Sequence, residues 1–504
     1  MKRFFSLRSL AWLGAGFVLL CLLVVWIENW TGARALAAAK LKLEQAGETL
    51  DLAELRPKPI PDVSNFCAIE PLVGITVEDE EQKKAFSNLD WSRWSWEKHR
   101  TLLPLPALGK GCSLGLPFDF QQAAAYLREV TYIDSPADAS PAQVLASIDR
   151  LHPLLKELSD AAPSRPKAVF LPQIGLGYKG PLGKMPVPHM DSAQCIARGL
   201  ALRSQIAVET ADSENAVRSI QASLRLTQAL GKEPTLIGLL VAVTTSTYEL
   251  NSIWSLLHRR VASEPQLVSV QSDLERQDFM RFALQSIRGE LAFNTNSIEW
   301  YKRHGDRRED VYAPLKRFIG EYEPSWHEIL LVRLIPAGWF DHNAATTIQL
   351  HSTWLLEPFK EGDVGHINRG FDELDQILGE HSGITSPHHI LPRLSLPLYW
   401  SVVRQAIYSE AVRRQALTAI AVERHRLVHG QLPARLDELV PSFLSAVPLD
   451  PMDRQPMRYR VEGNGFTLWS IAMDCHDDHG KLPTAKEARH IDRADYVGDW
   501  VWKN

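Results

Sequence analysis

The stretch "LWSIAMDCHDDHGK", residues 468–481, places three Asp and two His on a loop that follows a run of strand-forming residues. Such a loop could bind a metal, form part of an active site, or simply be a solvated turn. A second group of chemically capable residues lies upstream. "GWFDHN" (338–343) and "HSGITSPHH" (381–389) bring His342, His381, His388 and His389 into one region. A metal site could draw on these imidazoles, but no HExxH or comparable ligand spacing is present, so surface histidines are the expectation. Ser382 and Ser386 stand near His388 without the G-x-S-x-G elbow that would expose a nucleophile. Gly175 and Gly177 in "PQIGLGYKGPLGKMPVPH" match neither a dinucleotide fingerprint nor a P-loop, which leaves a solvent loop. Cys21, Cys67, Cys112, Cys195 and Cys475 form no CxxC. Cys67 and Cys112 are the nearest pair in sequence that could bridge outside the cytoplasm, and isolated buried thiols remain equally open. No coherent catalytic constellation emerges, so the expectation is a protein that is not an enzyme. A hydrolase using the acidic loop with a metal is the minority reading.

The elements that position these residues begin with a long apolar run. Leu10 to Ile27, LAWLGAGFVLLCLLVVWI, contains no charge. At about 1.5 Å per helical residue it extends about 27 Å, close to the hydrocarbon thickness of a bilayer. Lys2, Arg3 and Arg8 precede it, and Trp26 and Trp30 stand where an interfacial aromatic belt would lie. The positive-inside rule puts residues 1–9 in the cytoplasm and the bulk of the chain on the far side. "ARALAAAK" (33–40) would suit a signal peptidase, but the apolar run exceeds the h-region of about 7–15 residues, which favours an uncleaved anchor. No second run approaches spanning length, and Leu236 to Val243 reads as part of a buried helix.

The 504 residues are enough for two or three domains, with 45% apolar content. A formal charge of -5 gives no electrostatic basis for nucleic-acid binding. Fifteen Trp is a high count, and "WSRWSW" (Trp91, Trp94, Trp96) reads as helix-face packing rather than a sugar-stacking or membrane-interface surface.

After the anchor, residues 28–64 form a juxtamembrane helix and a linker broken by Pro57, Pro59 and Pro61. Residues 65–190 mix short helices with loops, and Ser140 with Pro141 predicts a capped helix start. Across 191–300 the apolar spacing is helical throughout. Asp191 or Ser192 would cap one helix and Asp212 or Ser213 the next. Val217, Ile220 and Leu224 mark its buried face, and further segments fall near 235–258 and 264–288. Successive helices with short connections predict helical hairpins, in a stack or in a compact bundle. Residues 301–395 are a less regular helical region, with "HGDRRED" (304–310) as an exposed loop.

Residues 396–504 read as an α+β module. A long helix runs to His429 with Val412, Ala416, Ile420 and Leu427 on one stripe and Arg413, Arg414 and Arg424 on the flanks, and Gly430 ends it. Leu436, Leu439 and Phe443 mark a short helix. Met457, Tyr459 and Val461 alternate as a strand, "GNG" turns, "FTLWSI" returns, and "DYVGDWVW" adds a last strand. The expected fold class is therefore mainly α: a single N-terminal transmembrane helix, a helical-hairpin region and a C-terminal module with a small antiparallel sheet.

The ordered segments "ERHRLVHGQLPARLDELVP", "VPLDPMDRQPMRYR", "GFTLWSIAMD" and "DYVGDW" resemble the soluble domain of the major pseudopilins of type II secretion, over roughly Arg414 to Trp500. The resemblance implies a calcium site in the loop after the second strand, with Asp474, Asp477 and Asp478 in the loop and Asp495 opening the closing motif. Carboxylates on a turn suit calcium, with its six to eight oxygen ligands, and His476 and His479 do not. The sequence departs from the family at Ala472 and Cys475, where the family has glycine, and in the inserted "KLPTAKEARHIDRA". Cys21 also stands where a pseudopilin has its helix Glu, so filament assembly is not implied. The layout as a whole looks like large bacterial envelope proteins. The functional expectation is an inner-membrane protein with a periplasmic body, in contact with the bilayer and with protein partners, acting as an interaction or scaffold protein. The alternative is an accessory factor of a type II secretion or pilus-like system.

Overall fold

Proline and capping residues set the helix boundaries of this computed structural model, which describes residues 7–75, 113–114, 118–129, 132–170, 187–304, 335–381, 386–396, 399–481 and 498–504. The expectations for Trp91, Trp94, Trp96, Cys112, Gly175, Gly177, Ser382, Asp495 and nearly all of the 304–310 loop lie outside those residues.

Helix α1, Leu7–Gln45, is one unbroken element, so the apolar run and the Ala-rich run after it share an axis. Helix α2 covers Phe120–Glu129. Ser140 and Gln143 form a reciprocal capping box on α3, Pro141–Leu151. Pro153 has no amide hydrogen, so the chain breaks at His152 and restarts as α4, Pro153–Ala161. Helix α5, Pro188–Glu209, starts before the expected Asp191 or Ser192, with Pro188 in the first turn where its missing donor costs nothing. Asp212 caps α6, Ser213–Gly231, and Thr235 caps α7, Leu236–His258. The segment expected near 264–288 is two helices, α8 at Glu264–Leu274 and α9 at Phe279–Arg303, because Asp278 caps the second. Helices α10 (Ala337–His351), α11 (Val364–Glu380) and α12 (Tyr399–His429) complete the long elements.

Helices α5, α6 and α7 each pack against the other two, which makes this part a bundle rather than a row of hairpins. Helix α7 runs through the Thr-Thr-Ser-Thr sequence at 244–247, within the segment expected near 235–258. Thr244, Thr245, Ser246 and Thr247 donate their hydroxyls back to carbonyls one turn earlier, which lets polar residues sit in a buried helix. Two apolar cores result. One is built from α3–α8 and the sheet, the other from the end of α1, α9, α10 and α11. Helix α12 runs through both: Val403, Ala406 and Ile407 belong to the second core, and Ala416, Ile420 and Val422 to the first.

Tertiary structure changes the expected picture of α12. A single apolar stripe was predicted, yet nearly every residue from Ser409 to Glu423 is buried, because the helix is enclosed on all sides. Arg413 is buried against Glu410 rather than flanking solvent, and Leu427 is exposed.

The sheet has strands β1 (Ser113–Leu114), β2 (Arg458–Glu462), β3 (Gly465–Ser470) and β4 (Trp500–Lys503) in the order β1-β4-β3-β2. The last three strands are antiparallel, with Arg460 opposite Thr467 and Leu468 opposite Trp502, and β1 joins β4 in parallel. The β2–β3 turn uses Gly463 at φ +62°, a conformation glycine adopts without a Cβ clash. The sheet is fastened to the helices by Gln415 Nε2, which donates to Trp500 O (2.7 Å), and by Trp254 Nε1, which donates to Lys503 O (2.8 Å).

Candidate functional site

The acidic loop leaves β3 at Ser470 and is organised around an arginine. Arg458, on β2, donates from Nη1 to Asp450 (2.9 Å), from Nη2 to Asp453 (2.7 Å) and from Nε to Asp477 (3.0 Å). Asp450 is fully buried and also accepts from Ser470 Oγ (2.7 Å), Ile471 N (3.0 Å) and Met452 N (3.0 Å). Asp477 accepts from Trp469 Nε1 (2.8 Å) and its own turn amide, His479 N (2.9 Å). Burial pushes the Asp477 carboxyl up, but Trp469, the His479 amide and Arg458 together hold it below the usual carboxylate value.

Asp474 accepts from His476 N (3.1 Å) and Gly498 N (3.0 Å), which ties the loop to the segment entering β4. Asp478 meets His476 Nδ1 at 3.6 Å and donates its amide to Asp499 Oδ1 (3.3 Å). The described Asp residues of the predicted calcium set therefore lie on one loop, each engaged with neighbouring amides or side chains, and Asp495 lies outside the described residues. Sequence reasoning missed Asp450, Arg458 and Asp499. Asp499 is buried and accepts from the Asp478 and Gly480 amides, and burial raises its carboxyl to about 6. The signal was present: Asp450 stands in "PLDP" and Asp499 in "DYVGDW", both quoted motifs. Ala472 and Cys475 adopt φ of +49° and +53°, a left-handed backbone that glycine takes more readily.

The second constellation lies where α1 meets the body. Glu28 follows the apolar run directly, His342 stands on α10, and His388 on the short 3-10 turn Pro387–His389. One ligand atom from each of these three residues lies within 4.8 Å of the others, the one such trio of His, Cys, Asp or Glu among the described residues. Glu28 Oε1 is 2.8 Å from His388 Nε2, and Thr31 Oγ1 is 3.1 Å from His342 Nε2. The two imidazoles stack at 4.1 Å between centroids and 15° between planes. His381 and His389 form a second stack beside them at 4.2 Å. The four histidines, expected as surface residues of one region, form two stacked pairs at half-buried positions. Burial, reinforced by His388, holds His342 below the ordinary imidazole value.

Backbone contact holds this region in place. A Cβ on Gly32 would lie 2.4 Å from Gly338 O, and one on Gly338 would lie 2.1 Å from Glu28 O, so α1 and α10 touch through glycine. Gly338 N donates to Asn29 Oδ1 (2.7 Å). Buried Asn343 accepts from Leu391 N (3.0 Å) and donates to Pro387 O (3.2 Å), fixing the turn that carries His388. Farther along α1, Leu36, Ala39 and Leu43 enter the second core and Lys40 pairs with Glu299. By contrast, Trp12 and the large apolar residues from Phe17 to Ile27 are exposed.

Compared with protein-family models, curated proteins and solved structures, the chain matches none. The pseudopilin resemblance rests on its motifs alone.

Proposed function

We propose that the chain is a single-pass membrane protein, with its helical body held against the bilayer surface as a scaffold for protein partners. One observation carries this reading: α1 is a single helix that exposes an uninterrupted uncharged, largely apolar stretch from Trp12 to Ile27, while Leu36, Ala39 and Leu43 farther along it are part of the folded core. An exposed apolar surface of this length calls for a lipid or protein covering, and its length matches a bilayer. At the boundary Trp26 stacks with Trp30 at 6.3 Å, and Arg34 sits 4.6 Å over the Trp30 ring, an arrangement suited to an interface. Helix α7 also has spanning length, but it is largely buried among other helices, as a core helix is. The competing role of α1 as a cleaved signal is disfavoured by the position of "ARALAAAK". That stretch lies within α1, with Leu36 and Ala39 buried in the body. With Lys2, Arg3 and Arg8 preceding the span, the body lies outside the cytoplasm, which in a bacterial inner membrane is the periplasmic side.

The test is expression of the full chain in bacterial cells, followed by alkaline washing of the membranes and intact-mass measurement. The expected result is a washed-membrane protein with the mass of the uncleaved chain, and a carboxy-terminal phosphatase fusion that is active. Release by the wash, or a mass showing removal of residues up to the 33–40 stretch, would overturn the anchor.

A second reading, docking to secretion or pilus-like components, is favoured by the left-handed backbone at Ala472 and Cys475. These are the two positions where the pseudopilin pattern has glycine. Co-purification of secretion components with the full chain would support it, and recovery of none would remove it.

A further inference from the structure

We propose that Glu28, His342 and His388 form a binding site for a divalent cation of the zinc class, which clamps α1 to the body. The donors set the class. Two imidazoles and one carboxylate are the ligand set of a borderline cation, whereas calcium and magnesium prefer oxygen alone. The spacing is within reach, because tetrahedral ligands at 2.0–2.1 Å stand about 3.4 Å apart and the three ligand atoms already lie within 4.8 Å of one another. Convergence is built into the fold, since the three residues come from three separate elements, α1, α10 and the Pro387–His389 turn, with Glu28 more than three hundred residues before either histidine.

The surroundings are those of a supported site. The Gly32–Gly338 crossing and the Asn29 hydrogen bond fix α1 on α10, and Asn343 fixes the His388 turn. Glu28 Oε1 and Thr31 Oγ1 face the Nε2 atoms of His388 and His342, so both rings turn a nitrogen toward α1. Three protein ligands leave a fourth position for the Thr31 hydroxyl or water. The half-buried side chains leave a route for the ion from solvent. The inference is independent of the bilayer, because the trio forms whether or not the preceding segment spans one.

The experiment uses untagged full-length protein in detergent micelles, stripped with chelator and dialysed against Zn2+, with Co2+ as a spectroscopic probe. The expected result is one equivalent of Zn2+ per chain after removal of free metal, with visible absorption from the Co2+ form. In the His342→Ala/His388→Ala double variant, affinity should fall by about a hundredfold or more. Glu28→Gln keeps the size and polarity of the side chain, and should weaken binding by about tenfold or more. It carries the test if the double variant fails to fold by circular dichroism. Retention at the dialysis background in the unmodified protein would overturn the site, as would equal retention in the folded variants.

Discussion

Around Arg458 three carboxylates close on one guanidinium, whereas at the base of α1 one carboxylate meets two stacked imidazoles. The loop richest in acidic residues thus carries its own cation on a neighbouring strand, and its charge works to hold the hairpin, the "PLDP" segment and the loop together. The base of α1 has one acidic residue, and its ring nitrogens are metal-ligand atoms. Carboxylate density is the signature of an oxygen-preferring ion such as calcium, and it carries no information about the imidazoles that suit the zinc class. What distinguishes the two regions is the identity of the neighbours, not the number of acids.

A third answer to buried charge is found inside the bundle. Glu249 on α7 is fully enclosed beside Gln277 and Thr227, and neither of its oxygens has a hydrogen bond of normal geometry. Burial raises its carboxyl to about 8, with Gln277 and Thr227 pulling the other way, so at neutral pH it is mostly protonated. Arg458 neutralises its carboxylates by pairing, while Glu249 sheds its charge.

The largest expected effect tests the pairing. Arg458→Ala leaves buried Asp450 without its cation and should lower stability by about 3–5 kcal/mol in denaturant melts. The same variant exposes Asp450, Asp453 and Asp477 to any added ion, so millimolar Ca2+ should raise its Tm more than that of the parent protein. A variant as stable as the parent would show that Arg458 does not organise the loop.

Next comes the buried acid. The folded carboxyl of Glu249 titrates near 8 against 4.5 for its ordinary value, so its contribution is fully present below pH 4.5 and is lost as pH rises through 8. Glu249→Gln should remove that loss and raise stability at pH 7 by at most about 3 kcal/mol, with little change at pH 4.5. Melts at the two pH values check it, and an equal shift at both would point to packing instead of charge.

The smallest effect concerns the loop backbone. Cys475 is exposed at φ +53°, so Cys475→Gly should stabilise by about 0.5–1 kcal/mol, read as a small rise in Tm. A fall in Tm would mean that the thiol makes contacts worth more than the relief of the backbone.

Local chemistry made much of the fold legible. Ser140, Asp212 and Gly463 act where capping and turn rules put them, and the apolar length of 10–27 was plain from composition. Leu436, Leu439 and Phe443 are buried as their spacing implied. Periodicity failed for α12, because a helix enclosed on every side has no solvent face to leave a polar stripe, and the buried Arg413–Glu410 pair looks the same in sequence as an exposed one. The candidate site was legible only in part. His342 and His388 were visible as histidines, but Glu28 lies more than three hundred residues before either, at the edge of an apolar run, and nothing local connects them. The sequence by itself determined which regions are helical, several of their caps and how long the apolar run is, since these depend on residues a few positions apart. Tertiary structure alone decided that α1 crosses α10 at Gly32 and Gly338, that Arg458 fills the acidic loop, and that Glu28 faces two imidazoles, because each is a contact between elements distant in the chain.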